Sequence, residues 1–262
     1  MSRHPDARRR RSALCGLLAY GDNAIAVGAS ALILHGIAGV PMGTEPQVTL
    51  PGAPYRVTRN CVNLRMFDHE MEIVAVDGFR CASVAWALAQ AVPELTRVPA
   101  VSVMDSALQR GFILRDELES AHRLARGRRG VAKTHSWWRE ANGLSESPLE
   151  TRARLECSDA GIPPDALQFV VVDADQRRRR ADMAWMLADG TYLLVEIDGT
   201  EYHSDVQAIY RDRERHNSLV IGGGWPTLRF TAADLYQTGT VPATVRSAIR
   251  AYNARLRQEK SP

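Results

Sequence analysis

The sequence predicts an α/β protein built as two domains, and three observations carry that expectation. The length of 262 residues suits one large domain or two ordinary ones. Segments with strand character are interspersed with helical ones along the chain. A boundary stands near "ANGLSESPLE": Asn142-Gly143 stops a helix and the polar run Ser145 to Ser147 follows, which is linker chemistry. The expected domains are therefore residues 1–144 and 145–262.

The composition is 45% hydrophobic and 24% charged, which excludes a disordered or collagen-like chain. A net charge of +3 is too small by itself to indicate a nucleic-acid binder. The charge is unevenly placed. Residues 1–144 hold 18 basic and 13 acidic groups, a balance of +5, and residues 145–262 hold 15 and 17, a balance of −2. Of the 33 basic residues only Lys133 and Lys260 are lysine, so chemistry that needs a lysine has two candidates.

In the first domain "VGASALILHG" suits a short helix ending at Gly36. "QVTLPG", "YRVTRNCVNLRMF" and "MEIVAVDGFRC" suit strands, with β-branched residues and Gly/Pro punctuation. "SVAWALAQAV", "AVSVMDSALQRG", "LRDELESAHRLARG" and "VAKTHSWWREANG" suit helices, with Gly111, Gly127 and Gly143 at their ends. Arg8 to Arg11 before "SALCGLLAYG" imitate the start of a signal peptide, but Asp22 and Asn23 interrupt the apolar stretch. The apolar run Ala24 to Val40 is shorter than a membrane span and holds Ser30, His35 and three glycines. The four cysteines Cys15, Cys61, Cys81 and Cys157 have no CxxC pair, which suits reduced thiols. The expectation is a cytoplasmic protein without a membrane partner.

In the second domain Ser147-Pro148-Leu149-Glu150 reads as a helix start, with an N-cap, a first-turn proline and a capping-box glutamate. That helix should end at Gly161. "LQFVVV", "RRRRADMAWML" and "TYLLVEID" follow as three strands of a meander, the last two joined by the turn Ala188-Asp189-Gly190. A long helix from about Ser204 to Ile221, the stop Gly222 to Gly224, the strand "WPTLRF" and a closing helix "VPATVRSAIRAYNARLR" complete an α/β sandwich around one mixed sheet.

Chemistry concentrates on the meander. Asp182 and Glu196 each lie seven positions from Asp189, so antiparallel pairing makes them near cross-strand neighbours. Period two puts Asp182 on a face with Arg178 and Arg180, and Glu196 on a face with Asp198. Carboxylates that close repel unless a cation or a proton lies between them. A hard divalent cation such as Mg²⁺, or Mn²⁺ in its place, is one solution, because it takes oxygen ligands and keeps several waters. Ion pairs with Arg178 or Arg180 across the hairpin are the other.

The ordered set "SESPLETRARL", "AGIPP", "RRADMAW", "LLVEIDGTEYH", "DRERHNSL" and "GGWPTLRFT" resembles the endonuclease-like domains related to the very-short-patch-repair (Vsr) endonuclease. These belong to the PD-(D/E)xK, restriction-endonuclease-like superfamily. "VGASALILHGI" and "GFRCASVAWALAQAV" are similar to AbiEi-type antitoxin-like regions that precede such domains in many actinobacterial proteins. The resemblance implies a C-terminal restriction-endonuclease-like sandwich after an N-terminal α/β domain of smaller motifs, and a Mg²⁺-dependent endonuclease acting on DNA. It implies that Asp182 and Glu196 hold the metal, that Glu150 approaches from the first helix, and that His203 contacts phosphate or moves a proton. Asp212 and Arg215, at i and i+3 of the long helix, would brace the site. The N-terminal domain would supply a protein partner or a DNA surface. The superfamily's lysine should stand two residues after Glu196, where this sequence has Asp198. Arg180 or Arg215 could stabilise charge but not take a proton, which leaves His203 as the titratable group. The missing lysine and the antitoxin-like match support a second reading, a DNA-binding regulator or antitoxin-like protein on a nuclease fold that does not cut.

Simpler roles stand beside these. A capping box alone would place Glu150, a polar loop would hold His203, and Asp212 and Arg215 suit a plain helix ion pair. Arg177 to Arg180 suit phosphate contact or a solvated face. Arg8 to Arg11 suit a DNA-contacting arm or a disordered start. One of Trp137 and Trp138 should be core.

Overall fold

The computed structural model describes residues 5–51, 62–67, 70–172, 178–198 and 225–259. The chain divides into two compact units, Met1–Pro148 and Leu149–Pro262. Each is a mixed α/β arrangement with its own mixed sheet. Among the described residues no helix is long and apolar enough to cross a membrane.

The N-terminal unit runs α1 (Pro5–Leu18), β1 (Ile25–Ala26), α2 (Gly28–Leu34), β2 (Gln47–Thr49), β3 (Asn63–Arg65), β4 (Ile73–Val76), β5 (Phe79–Ala82), α3 (Val84–Ala91), α4 (Arg97–Gln109), α5 (Arg115–Leu124) and α6 (His135–Glu140). Its sheet has the order β3-β2-β1-β5-β4. The two-residue β1 sits at the centre, antiparallel to β2 and parallel to β5. The start of α2 shows how this core is specified. Its cap residue Val27 has no side-chain bond to give, so the first-turn N–H groups need other acceptors. Gly28 N–H donates to Gln90 Oε1 at 2.8 Å and Ala29 N–H to Gln47 Oε1 at 2.9 Å. Gly28 has φ +51°, and a Cβ there would lie 2.1 Å from Gln47 Oε1. No other residue fits.

Arg8 to Arg11 are neither an arm nor a disordered start: they lie on α1. Ala13 and Leu17 bury one side of that helix. Arg9 pairs with Asp6 at 2.7 Å, while Arg10 donates to the Leu34 carbonyl at 2.9 Å and pairs with Asp77. The Asn142-Gly143 stop is tied to α4, where the buried Asp105 carboxylate accepts the Asn142 N–H at 2.8 Å.

The C-terminal unit holds α7 (Pro148–Asp159), β6 (Ala166–Val172), β7 (Arg178–Met186), β8 (Tyr192–Asp198), β9 (Thr227–Thr231), α8 (Ala232–Tyr236) and α9 (Thr240–Glu259). The sheet order is β6-β7-β8-β9, antiparallel except that β9 runs parallel to β8. Met183, Trp185, Leu193, Val195, Ile197, Leu228 and Phe230 form one buried face, with Ala153 and Cys157 of α7 and Val241 and Val245 of α9 in the same cluster. Burial pushes the Cys157 thiol up to about 12, so it acts as packing and not as a nucleophile. A smaller cluster gathers Val171, Ala181, Ala184 and Leu194, with Phe169, Tyr192 and Trp225 packed on it. The expected helix from Ser204 to Ile221 and its glycine stop lie outside the described residues.

Two substitutions test these cores. Gly28→Ala should lower the unfolding free energy of the protein by about 2 kcal/mol or more, because a left-handed alanine and a steric clash add together. Leu193→Ala, at a side chain only 1% exposed, should cost about 2–5 kcal/mol. Urea titrations followed by circular dichroism measure both.

Candidate functional site

The turn at Asp189 sets the site. The Asp189 carboxylate accepts the Thr191 N–H at 3.0 Å and its hydroxyl at 2.6 Å. From there β7 and β8 pair as Met186 with Tyr192, Trp185 with Leu193, Ala184 with Leu194 and Met183 with Val195. The β7–β8 ladder ends at Met183 with Val195, and Asp182 and Glu196 are the next residue on each strand. β9 sets Arg229 beside Glu196. On the other side, the β6–β7 register brackets Gln168 opposite Asp182, between Leu167 with Met183 and Phe169 with Ala181. Gln168, Asp182, Glu196 and Arg229 thus form one row across all four strands.

The row is also where the pleat breaks. Ala181 and Ala184 are three residues apart yet pack in the same small cluster, as do Ala166 and Phe169 on β6. Strict alternation would put each pair on opposite faces. Gln168 takes φ +50°, a conformation that costs a non-glycine residue about 1–3 kcal/mol. Counting by twos therefore fails between Ala181 and Ala184, so it no longer assigns Asp182 to the face of Arg178 and Arg180. Asp182 Oδ2 instead accepts the Ile197 N–H at 2.6 Å, so its carboxylate does the work of a ladder carbonyl where the strands part.

Glu196 keeps its expected side of β8, away from the core residues Val195 and Ile197. Its Oε2 accepts from Arg229 Nε at 2.8 Å. The ion-pair alternative for Glu196 is thus realised with a different arginine, on β9 and not across the hairpin. Asp198 is exposed at the end of β8, opposite Thr231. Glu150 is only 7% exposed, and its Oε2 accepts from Gln168 Nε2 at 3.0 Å. It meets the row through that amide. Gln168 Oε1 is buried with no hydrogen-bond partner among the described residues, an arrangement that costs free energy unless a donor or a cation meets it. Arg178 and Arg180 are exposed on β7, opposite the exposed Val172 and Val170. His203, Asp212 and Arg215 lie outside the described residues.

Sequence reasoning missed Gln168 and Arg229. Gln168 carries no signal short of its backbone angle. Arg229 depends on a parallel register that a long connection conceals. The donors present are hard oxygens, which suit Mg²⁺ or Mn²⁺ and not a soft metal. The acids form a line and not a closed cage: among the described residues no three of His, Cys, Asp and Glu converge to hold a metal ion. A cation held by Asp182 and Glu196 would complete its shell with water.

No family model matches the chain. It is similar to two proteins of Mycobacterium tuberculosis, both described as uncharacterized: MT2308 of strain CDC 1551 / Oshkosh and Rv2248 of strain H37Rv. Each is 28% identical over 222 residues, covering 83% of this chain and 78% of the relative. No solved structure matches.

The structural share of Asp182 can be separated from its charge. Asp182→Ala leaves the Ile197 N–H without its acceptor and should cost about 1–3 kcal/mol in a urea titration. Asp182→Asn keeps an acceptor oxygen and should retain most of that stability.

Proposed function

We propose that this protein is a metal-dependent DNA endonuclease whose C-terminal unit is a restriction-endonuclease-like α/β sandwich. The observation that carries the reading is the row that holds Asp182 and Glu196, at a break in the pleat, with the buried Glu150 one amide away. A four-stranded mixed sheet with a helix before the meander and another after it accords with that fold. Asp182 and Glu196 would hold Mg²⁺ or Mn²⁺. When bound, such an ion stabilises the charge that builds on phosphodiester oxygens and makes water a better nucleophile.

The chain's own groups fill the remaining roles. The Ile197 N–H fixes one oxygen of Asp182, and Arg229 fixes one oxygen of Glu196, so both carboxylate heads are oriented before substrate arrives. Gln168 holds Glu150 against the sheet and positions it. Arg178 and Arg180, exposed on the strand that carries Asp182, suit contacts to DNA phosphates. Asp198 stands where the superfamily's lysine would be, and Arg229 puts a permanent cation beside Glu196 instead. An arginine can steady charge and cannot act as base, so proton transfer falls to His203.

The ion pair of Arg229 with Glu196 also favours a second reading. A carboxylate already neutralised by arginine suits a DNA-binding regulator or antitoxin-like protein that does not cut. Plasmid nicking with Mg²⁺, Mn²⁺ and EDTA separates the two. The nuclease reading expects cation-dependent nicking that falls at least about a thousandfold, roughly 4 kcal/mol of barrier, in both Asp182→Asn and Glu196→Gln. Nicking that persists in both conservative variants rejects this site. DNA binding with no nicking under either cation supports the regulator.

A further inference from the structure

The most uneven charge in the molecule lies elsewhere. From His122 to Arg139 the chain carries six basic residues, two histidines and no carboxylate. That one stretch exceeds the +5 of all residues 1–144. It spans the end of α5, the loop of residues 125–130, a tight helical turn (Val131–Thr134) and α6. Arg123, Arg126, Arg129, Lys133, His135 and Arg139 are all exposed. Arg126, Arg129, Lys133 and Arg139 make no ion pair among the described residues.

A solvated charge run is the ordinary explanation of such a stretch, but this one is held in shape. His122 Nε2 lies 2.8 Å from His135 Nδ1, which ties α5 to α6. The His122 ring stacks on Trp138 at 4.9 Å and 11°. Trp138 is 4% exposed, with its indole N–H on Thr134 Oγ1 at 3.2 Å. Gly130 has φ +88°, and a Cβ there would lie 2.6 Å from the Pro93 carbonyl oxygen, so the loop is pinned to the body of the unit. Arg128 lies over the Phe67 ring at 4.8 Å. Burial first, then the electrostatic influence of His135, Arg126 and Arg139, holds His122 below its usual range. The acids flanking the stretch in sequence are engaged or set back: Glu140 pairs with Arg97 at 2.7 Å, Glu117 caps the other end of α5, and Glu119 lies one turn back along α5.

We propose that this face, formed by the end of α5, the following loop and α6, docks the phosphate backbone of duplex DNA. Cations without an ion pair among the described residues, carried by a pinned loop, a helical turn and α6, match a stiff, extended polyanion, and binding releases its condensed counterions. Single strands are a poorer match, since they use exposed stacking platforms: Trp138 is buried, and Lys133 sits over the Trp137 ring at 5.7 Å. The stretch also lacks the exposed apolar anchors that define protein hot spots. This face is in the N-terminal unit and is independent of the Asp182 row.

The test uses the full chain in EDTA, so that cleavage plays no part. Fluorescence anisotropy follows a short mixed-sequence duplex while NaCl rises from ~50 to ~200 mM. Arg126→Ala/Arg129→Ala should weaken binding several-fold and flatten the slope of log affinity against log salt by about 1.8, or ~0.9 for each lost phosphate contact. Arg250→Ala/Arg255→Ala removes the same charge from exposed positions of α9 and should leave the slope unchanged. A wild-type slope in the first variant, an equal loss in the second, or tighter binding to single-stranded RNA of the same length overturns the proposal. Because no cutting is measured, loss of nicking in the Asp182 variants and loss of binding in these variants are separate failures.

Discussion

Antiparallel pairing of β7 with β8 about Asp189 is the constraint on which the C-terminal unit depends. Side chains alternate with period two, so a slip of one residue would exchange the faces of both strands. Val195 and Ile197 would leave the buried cluster and Glu196 would enter it. An unpaired carboxylate there costs far more than a lost methyl contact. The core thus enforces the register, and the register brings Asp182 and Glu196 together. Packing and chemistry are specified by the same few residues, Met183 to Met186 against Tyr192 to Val195.

The row departs from the rest of the sheet in a single respect: it is irregular. Regular ladder pairing would use backbone carbonyls, whereas Asp182 supplies a side-chain oxygen to Ile197 N–H. Regular strand geometry would keep Gln168 at negative φ, whereas it stands at +50° with one amide oxygen unsatisfied among the described residues. Two local rules fail together on neighbouring strands, at Gln168 of β6 and Asp182 of β7, and departures of this kind gather at sites shaped for something other than stability.

Much of the architecture was legible because it rests on local chemistry. The α7 stop at Gly161, the β7–β8 turn and the antiparallel pairing of Met183 to Met186 with Tyr192 to Val195 follow from a left-handed glycine, a tight turn and alternating hydrophobic residues. What stayed hidden depends on distance or irregularity. Helix α1 was concealed because four arginines read as a DNA-contacting arm or a disordered start, while the burial of Ala13 and Leu17 is a tertiary fact. Arg229 was concealed because the chain between β8 and β9 is long and sets no register. The face of Asp182 was not readable because period-two counting assumes an unbroken pleat. The Glu150 contact to Gln168 needs both a helix and a kinked strand in place.

Charge gives the last step. A line of carboxylates by itself repels phosphate, so a protein that brings nucleic acid to one must place cations of its own nearby or hold the polymer elsewhere. This chain offers both. Arg178, Arg179 and Arg180 stand exposed on the strand that carries Asp182, and Arg229 offsets Glu196 within the row. The N-terminal unit carries its surplus on one pinned face, distant in sequence from any acid of the row. A formal charge near zero conceals this division. On the proposed reading, attraction that supplies affinity and acidity that supplies chemistry have opposite electrostatic requirements, and the sequence assigns the basic surplus and the acidic row to different units.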